Sequence, residues 1–276
     1  MSQRILVPTD GSESAEAGVR YAIALAKRSG GSVHGIFVVD IKLLEGPFLR
    51  DLSASLGTAP YVNYQNNIAM LLEERGKAAL KVVENLAAEA GVAFECQIAT
   101  GVIHHCIVEA SELADLIVLG RGGEHSAWLE GLVGSTTEAV ARRAKTPVLV
   151  TGTGQLSSGP LVVAYDGSAF AKEALKNAAA MAAAWNTSLA VLSIGGAEAD
   201  AAQAEAKAYL NDHPGATEYM RKDGPPGEAI VALARDLDAG AIAMGAYGHA
   251  KVLELVTGST TAYTLNHATC PVLLCR

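Results

Sequence analysis

The chain writes one unit twice. Ile5-Leu-Val-Pro-Thr-Asp10-Gly-Ser12 recurs as Val162-Val-Ala-Tyr-Asp166-Gly-Ser168, and Ala144-Lys-Thr-Pro147-Val-Leu-Val150 recurs as Ala268-Thr-Cys-Pro271-Val-Leu-Leu274. Between these markers each copy carries a glycine loop. Gly120-Arg-Gly-Gly123 precedes Gly134-Ser135-Thr136-Thr137, and Gly245-Ala-Tyr-Gly248 precedes Gly258-Ser259-Thr260-Thr261. A fold that serves this sequence must therefore be built of two similar halves. Asp10 and Asp166 stand 156 positions apart, whereas Pro147 and Pro271 are separated by 124, so the first copy holds extra residues. These fall at about 42–70, a stretch with Pro47, Gly57 and Pro60. Thr151 to Pro160, rich in glycine and serine, reads as the join. The expected organisation is a first domain over 1–152, a linker over 153–159 and a second domain over 160–276.

Within each copy apolar runs alternate with helical patterns. Strands are expected near 4–8, 32–39, 93–99, 115–120 and 147–151, and again near 161–165, 188–194, 217–222, 241–245 and 271–275. Helices are expected near 12–29, 68–90, 103–114 and 134–144, then 168–185, 198–211, 227–237 and 258–267. This alternation, with apolar strands, predicts an α/β class: two parallel five-stranded sheets covered by helices on both faces. In such sheets ligands sit beyond the carboxyl ends of the strands, where the strand order reverses. Asp10, the loop after Gly120 and the end of the second strand all meet at that edge.

The glycine loops predict a phosphate cradle. Glycine lets a backbone come close, unpaired N–H groups point outward, and a helix start favours negative charge. Asp10 and Asp166 each end a first strand and enter a helix through Gly-Ser. Their carboxylates could accept hydrogen bonds from a ribose or an adenine amino group, or could cap the helix that follows. Arg121 offers a phosphate a charged donor. His125 and His249, just past each Gly-x-x-Gly, would reach a phosphate best when protonated.

Asp10-Gly-Ser, Gly-x-x-Gly, a spacer, Gly-Ser/Thr and a closing Thr-Pro-Val-Leu-Val together resemble the universal stress protein family, in its tandem, nucleotide-binding form, over essentially the whole chain. The resemblance implies Rossmann-like (HUP-type) domains and ATP, with or without magnesium (Mg), as ligand. By position it implies that Asp10 and Val38 hold the adenosine, with Thr9 and Gly11 beside them, and that Asp166, Gly167 and Ile194 do so in the second half. Gly120, Gly123, Gly134, Ser135 and Thr136 would line ribose and phosphates, as would Gly245, Gly248, Gly258, Ser259 and Thr260. Two departures stand out. The first spacer, Glu124 to Val133, has ten residues against nine, and includes Glu124, Trp128 and Glu130. Gly240 stands where the first half has Asp115.

Other readings are narrowed by what the sequence lacks. No G-x-x-x-x-G-K-[ST] is present, and no base adjoins a water site, so strong ATPase activity is not expected. A formal net charge of −8 with scattered basic residues argues against nucleic acid and against an anionic membrane surface. Neither a secretory leader nor a membrane-length apolar run is seen. The four cysteines, without C-x-x-C spacing, read as buried reduced thiols of a cytoplasmic protein. His104, His105 and Cys106 read as helix-surface residues rather than a metal site. Ser29-Gly-Gly-Ser32 reads as a helix end. The inserted segment, with Leu44, Phe48, Leu52, Leu56, Tyr61, Tyr64 and Ile68, reads as a flap over the first sheet edge, a lid or a partner surface. The functional expectation is a cytoplasmic, ATP-binding stress-response regulator. The resemblance implies an intramolecular pseudo-dimer through the last strands and a further homodimer. The alternatives are a slow ATPase or nucleotidyl-transfer enzyme in the same cleft, and an interaction protein with vestigial pockets.

Overall fold

The computed structural model describes residues 3–45, 58–122, 133–152, 157–246 and 259–276. The first half runs β1 (Arg4–Pro8), α1 (Glu13–Ser29), β2 (Ser32–Asp40), α2 (Ile41–Glu45), α3 (Thr58–Ala90), β3 (Ala93–Gly101), α4 (Ile103–Ala110), β4 (Leu116–Leu119), α5 (Ser135–Arg143) and β5 (Val148–Val150). The second runs β6 (Leu161–Ala164), α6 (Ala169–Trp185), β7 (Leu189–Ile194), α7 (Ala197–Tyr209), β8 (Thr217–Lys222), α8 (Pro226–Asp236), β9 (Ala241–Gly245), α9 (Ser259–His267) and β10 (Val272–Cys275). Helix ends follow local chemistry. Ser12 and Ser168 accept hydrogen bonds from Ala15 and Ala171 as N-caps, while Gly30 and Asn186 close α1 and α6 in left-handed conformations at φ +63° and +53°.

Ten strands make one sheet in the order β3-β2-β1-β4-β5-β10-β9-β6-β7-β8. Each half is parallel throughout, as the apolar runs predict. The halves meet where β5 and β10 pair antiparallel, Leu273 opposite Leu149 and Leu274 opposite Val148. Every residue of these two strands is buried. The expected contact between last strands is thus a seam inside one continuous sheet.

One core layer lies under α1, α3, α6 and α7, and the other under α4, α5, α8 and α9. Both layers draw residues from both halves, so neither core stops at the seam. Among the described residues no helix is long and apolar enough to cross a membrane.

The insertion lies between β2, which ends at Asp40, and β3, which starts at Ala93; the matching gap runs only from Ile194 to Thr217. Part of it is helical. The helix expected from residue 68 begins at Thr58, because Pro60 falls in the first turn, where its missing N–H costs no helical hydrogen bond. Phe48, Leu52 and Leu56 lie outside the described residues. The cysteines also depart from expectation. Cys275 is buried, Cys106 and Cys270 are partly so, and Cys96 is exposed on β3, at the sheet's rim.

Truncating Leu273 to Ala is expected to cost about 2–5 kcal/mol, the usual range for a core leucine. Because the cores are shared, urea melts followed by fluorescence and by circular dichroism should show one coincident transition. Two separated transitions, one per half, would contradict a shared core.

Candidate functional site

Strand order reverses between β1 and β4, and again between β6 and β9. At both reversals the chain builds the same turn. Thr9 donates from its backbone N–H to the Ile36 carbonyl at 2.9 Å, tying the end of β1 to β2, on which Val38 lies. Asp10 accepts from the Ser12 N–H at 2.9 Å, and Gly11 donates to Thr9 Oγ1 at 3.2 Å. In the second half Asp166 accepts from the Ser168 N–H at 3.0 Å, and the Tyr165 N–H donates to the Leu192 carbonyl of β7, the strand that ends at Ile194. Gly11 and Gly167 both sit at φ +79°, a region that strains residues with a Cβ. The turn settles one alternative. Serine caps each helix, and the aspartate shapes the turn before it.

Across the reversal, Gly120 and Arg121 follow β4, and α5 opens beside them. The Gly134 N–H donates to the Arg121 carbonyl at 2.9 Å, and buried Thr137 donates from Oγ1 to the Gly120 carbonyl at 3.0 Å. These bonds hold the start of α5 against the end of β4. Gly134 is its N-cap and makes no side-chain cap bond. Ser135 and Thr136 thus lead a helix whose first N–H groups have no intrahelical acceptors. Thr260 and Ser259 occupy the corresponding start of α9.

Two expectations are corrected, and a third gains a further cause: helices press on Gly120 and Gly245, which by itself requires both to be small. A Cβ on Gly120 would stand 2.5 Å from the Ser14 carbonyl oxygen, and one on Gly245 would stand 2.7 Å from the Ala171 nitrogen. Arg121 does not aim at a phosphate. Its guanidinium donates to the Ala268 carbonyl, just past the C-terminus of α9 in the other half, and burial lowers its pKa. Asp115 belongs to the far end of the sheet, where it accepts from the Arg4 N–H at 2.8 Å, so Gly240 at its counterpart does not bear on the second crevice.

Gly123, Gly248 and Gly258 lie outside the described residues, together with Glu124, His125, Trp128, Glu130, Tyr247 and His249. His104 and His105 stand edge to face at the start of α4, 4.4 Å between ring centres. Among the described residues no group of three metal-ligating side chains gathers. Sequence reading missed Ser14, whose Oγ accepts from the Gly122 N–H at 3.2 Å, and Thr137. Thr137 had a signal, since Thr261 repeats it and both are buried. Ser14 had none, for Phe170 replaces it in the second copy. Also missed was Arg75 of α3, which donates to the Asp10 carbonyl at 3.1 Å.

The universal stress protein family profile matches residues 1–152 and again 158–276. The chain belongs to the universal stress protein family. It is 29% identical over 286 residues to universal stress protein Slr1230 of Synechocystis, covering 99% of this chain and 100% of that one. To universal stress protein MJ0531 of Methanocaldococcus jannaschii it is 37% identical over 151 residues, 54% of this chain and 81% of the relative. A crystal structure of a universal stress protein from Archaeoglobus fulgidus shares the fold at TM-score 0.80 and 23% identity, covering 100% of this chain and 99% of that one.

Because the two nearest atoms facing Gly245 are backbone and the third is the Phe170 Cβ fixed to it, they cannot swing aside. Gly245→Ala is therefore expected to destabilise the protein by about 1–3 kcal/mol, the usual cost of overpacking, read as a lowered melting temperature. An unchanged melting temperature would mean that α6 does not press on this strand end.

Proposed function

We propose that this universal stress protein is a nucleotide-dependent regulator that takes ATP, with or without magnesium, at its two strand-order reversals and has no strong catalytic site of its own. The observation that carries the reading is the start of α5. Its N-cap, Gly134, offers no side-chain acceptor and is tied by its backbone to Arg121 at the end of β4, the strand beside β1, and a helix N-terminus favours a phosphate. In this reading the phosphates meet the leading amides of Ser135 and Thr136. The base lies toward Asp10 and Val38, where a carboxylate oxygen can accept from an amino or hydroxyl group and Val38 supplies an apolar surface. The second half offers Asp166, Ile194, Ser259 and Thr260 at the same positions.

Bound ATP would supply charge and a link between loop and helix, not a reaction. The chain's own part is to bind and orient it, and to become more rigid in doing so. Cytoplasmic location and a further homodimer belong to the same reading. Because β5 and β10 pair with each other, that homodimer would have to use another surface.

ATP at a hundred times its dissociation constant is expected to add about 2.7 kcal/mol to the stability of the protein. Asp10→Asn combined with Asp166→Asn keeps an oxygen for each turn but loses an acceptor and a charge. Calorimetry should show at least roughly tenfold weaker ATP binding, about 1.4 kcal/mol, at an unchanged ligand-free melting temperature. Equal affinity in the double variant would remove both aspartates from the site. Phosphate release from ATP should stay well below about 1 s⁻¹, the low end of ordinary enzyme turnover. Turnover at or above that rate would make the protein an ATPase.

A further inference from the structure

The halves differ at one place beside the strand ends. The 156-residue offset sets Thr9 against Tyr165, Glu16 against Lys172 and Val19 against Leu175. Helices α3 and α7 correspond through Ala79 and Ala202, whose side chains a Cβ on Gly11 or Gly167 would approach at 3.5 and 3.9 Å. Val82 therefore stands where the second half has Glu205, and Val83 where it has Ala206.

In the second half this space is filled by the protein. Tyr165 is 3% exposed and its hydroxyl bonds Glu205, which pairs with Lys172 at 2.6 Å. In the first half Thr9 is too short to do the same. A cavity of about 280 Å³ lies there, with Thr9, Asp10 and Gly11 on one side and Val19, Val82 and Val83 of α1 and α3 on the other. The cavity shares Thr9, Asp10 and Gly11 with the crevice discussed above, but it lies on the other face of the sheet from Val38 and α5.

We propose that the cavity between the end of β1 and helices α1 and α3 is a second small-molecule site, and that it takes a small phenol whose ring replaces the Tyr165 ring of the other half. The walls suit one. Val19, Val82, Val83 and Ala79 offer an apolar slot, and Glu16 and Arg75 add polar groups. Glu16 pairs with Arg20 at 2.6 Å, and Arg75 donates to the Asp10 carbonyl at 3.1 Å, so both are held by the protein. A phenol brings a flat apolar body and a single hydroxyl, the division of surface that buried tyrosines use. The volume falls just under the span of about 300–1,000 Å³ usual for small-molecule pockets, which favours a single ring. Nothing in this proposal depends on nucleotide binding.

The probe is p-cresol, the tyrosine side chain as a free molecule, titrated to millimolar into the isotope-labelled full-length chain. Saturable shifts are expected at the amides of Gly11, Ala79 and Val83, with Gly167 and Ala202 unmoved. Thr9→Tyr, which supplies the ring from within, is expected to abolish them. Ala78→Leu fills the cavity from the helix side and should weaken binding by roughly tenfold or more; it also covers the case in which Thr9→Tyr does not fold. No saturable shifts at millimolar p-cresol, or shifts that persist unchanged in a folded filled variant, would overturn the proposal.

Discussion

The structure depends on a pairing of two short strands. Val148–Val150 and Val272–Cys275 are apolar and fully buried, and each would be an open edge if its half stood alone. Such an edge invites association with another chain. By pairing antiparallel the two strands satisfy each other within one molecule, merge the core layers and fix the geometry of everything outward. Because the strands of the two halves run in opposite senses, their carboxyl ends, and so their crevices, open at opposite edges of the sheet. Arg121 and Arg276 secure the seam from its two ends, each donating to a carbonyl at the end of a helix in the other half, Ala268 and Arg142.

From that frame the local arrangement follows. A strand that ends at a reversal must hand over to a helix in a few residues. The Asp-Gly-Ser turn does so with a left-handed glycine, an aspartate bonded two residues on and a serine cap. Next door the strand end is stripped of side chains, so that the first turn of α1 or α6 can lie against it. The same strand end also holds the start of α5, through the Gly134 N–H to the Arg121 carbonyl and Thr137 Oγ1 to the Gly120 carbonyl.

Much of this was legible in the sequence because the duplication calibrates itself. The repeated markers place ten strands, their parallel character and the insertion after the second strand, and the family resemblance implies the contact between the two Pro-Val-Leu endings. Glycine was the weak point. A glycine that admits a ligand and one that admits a helix are the same letter, and only the closeness of Ser14 and Ala171 reveals the helix at Gly120 and Gly245. Arg121 misled for a related reason, since a cation beside a glycine loop reads as a phosphate ligand until its partner across the seam is seen. The first cavity was hidden in plain view. Thr9 and Tyr165 differ within an otherwise matching motif, but that difference acquires meaning only once Val82 is seen across a cavity from Thr9 and Glu205 bonded to Tyr165.

The central claim is that backbone amides at the strand-order reversals hold a nucleotide's phosphates. A crystal structure grown with ATP tests it most directly. Density is expected to run from the Asp10 turn, past Val38, to the first amides of α5, with a matching feature at Asp166 and α9. Crevices closed by the protein's own side chains, or nucleotide bound elsewhere on the chain, would contradict it.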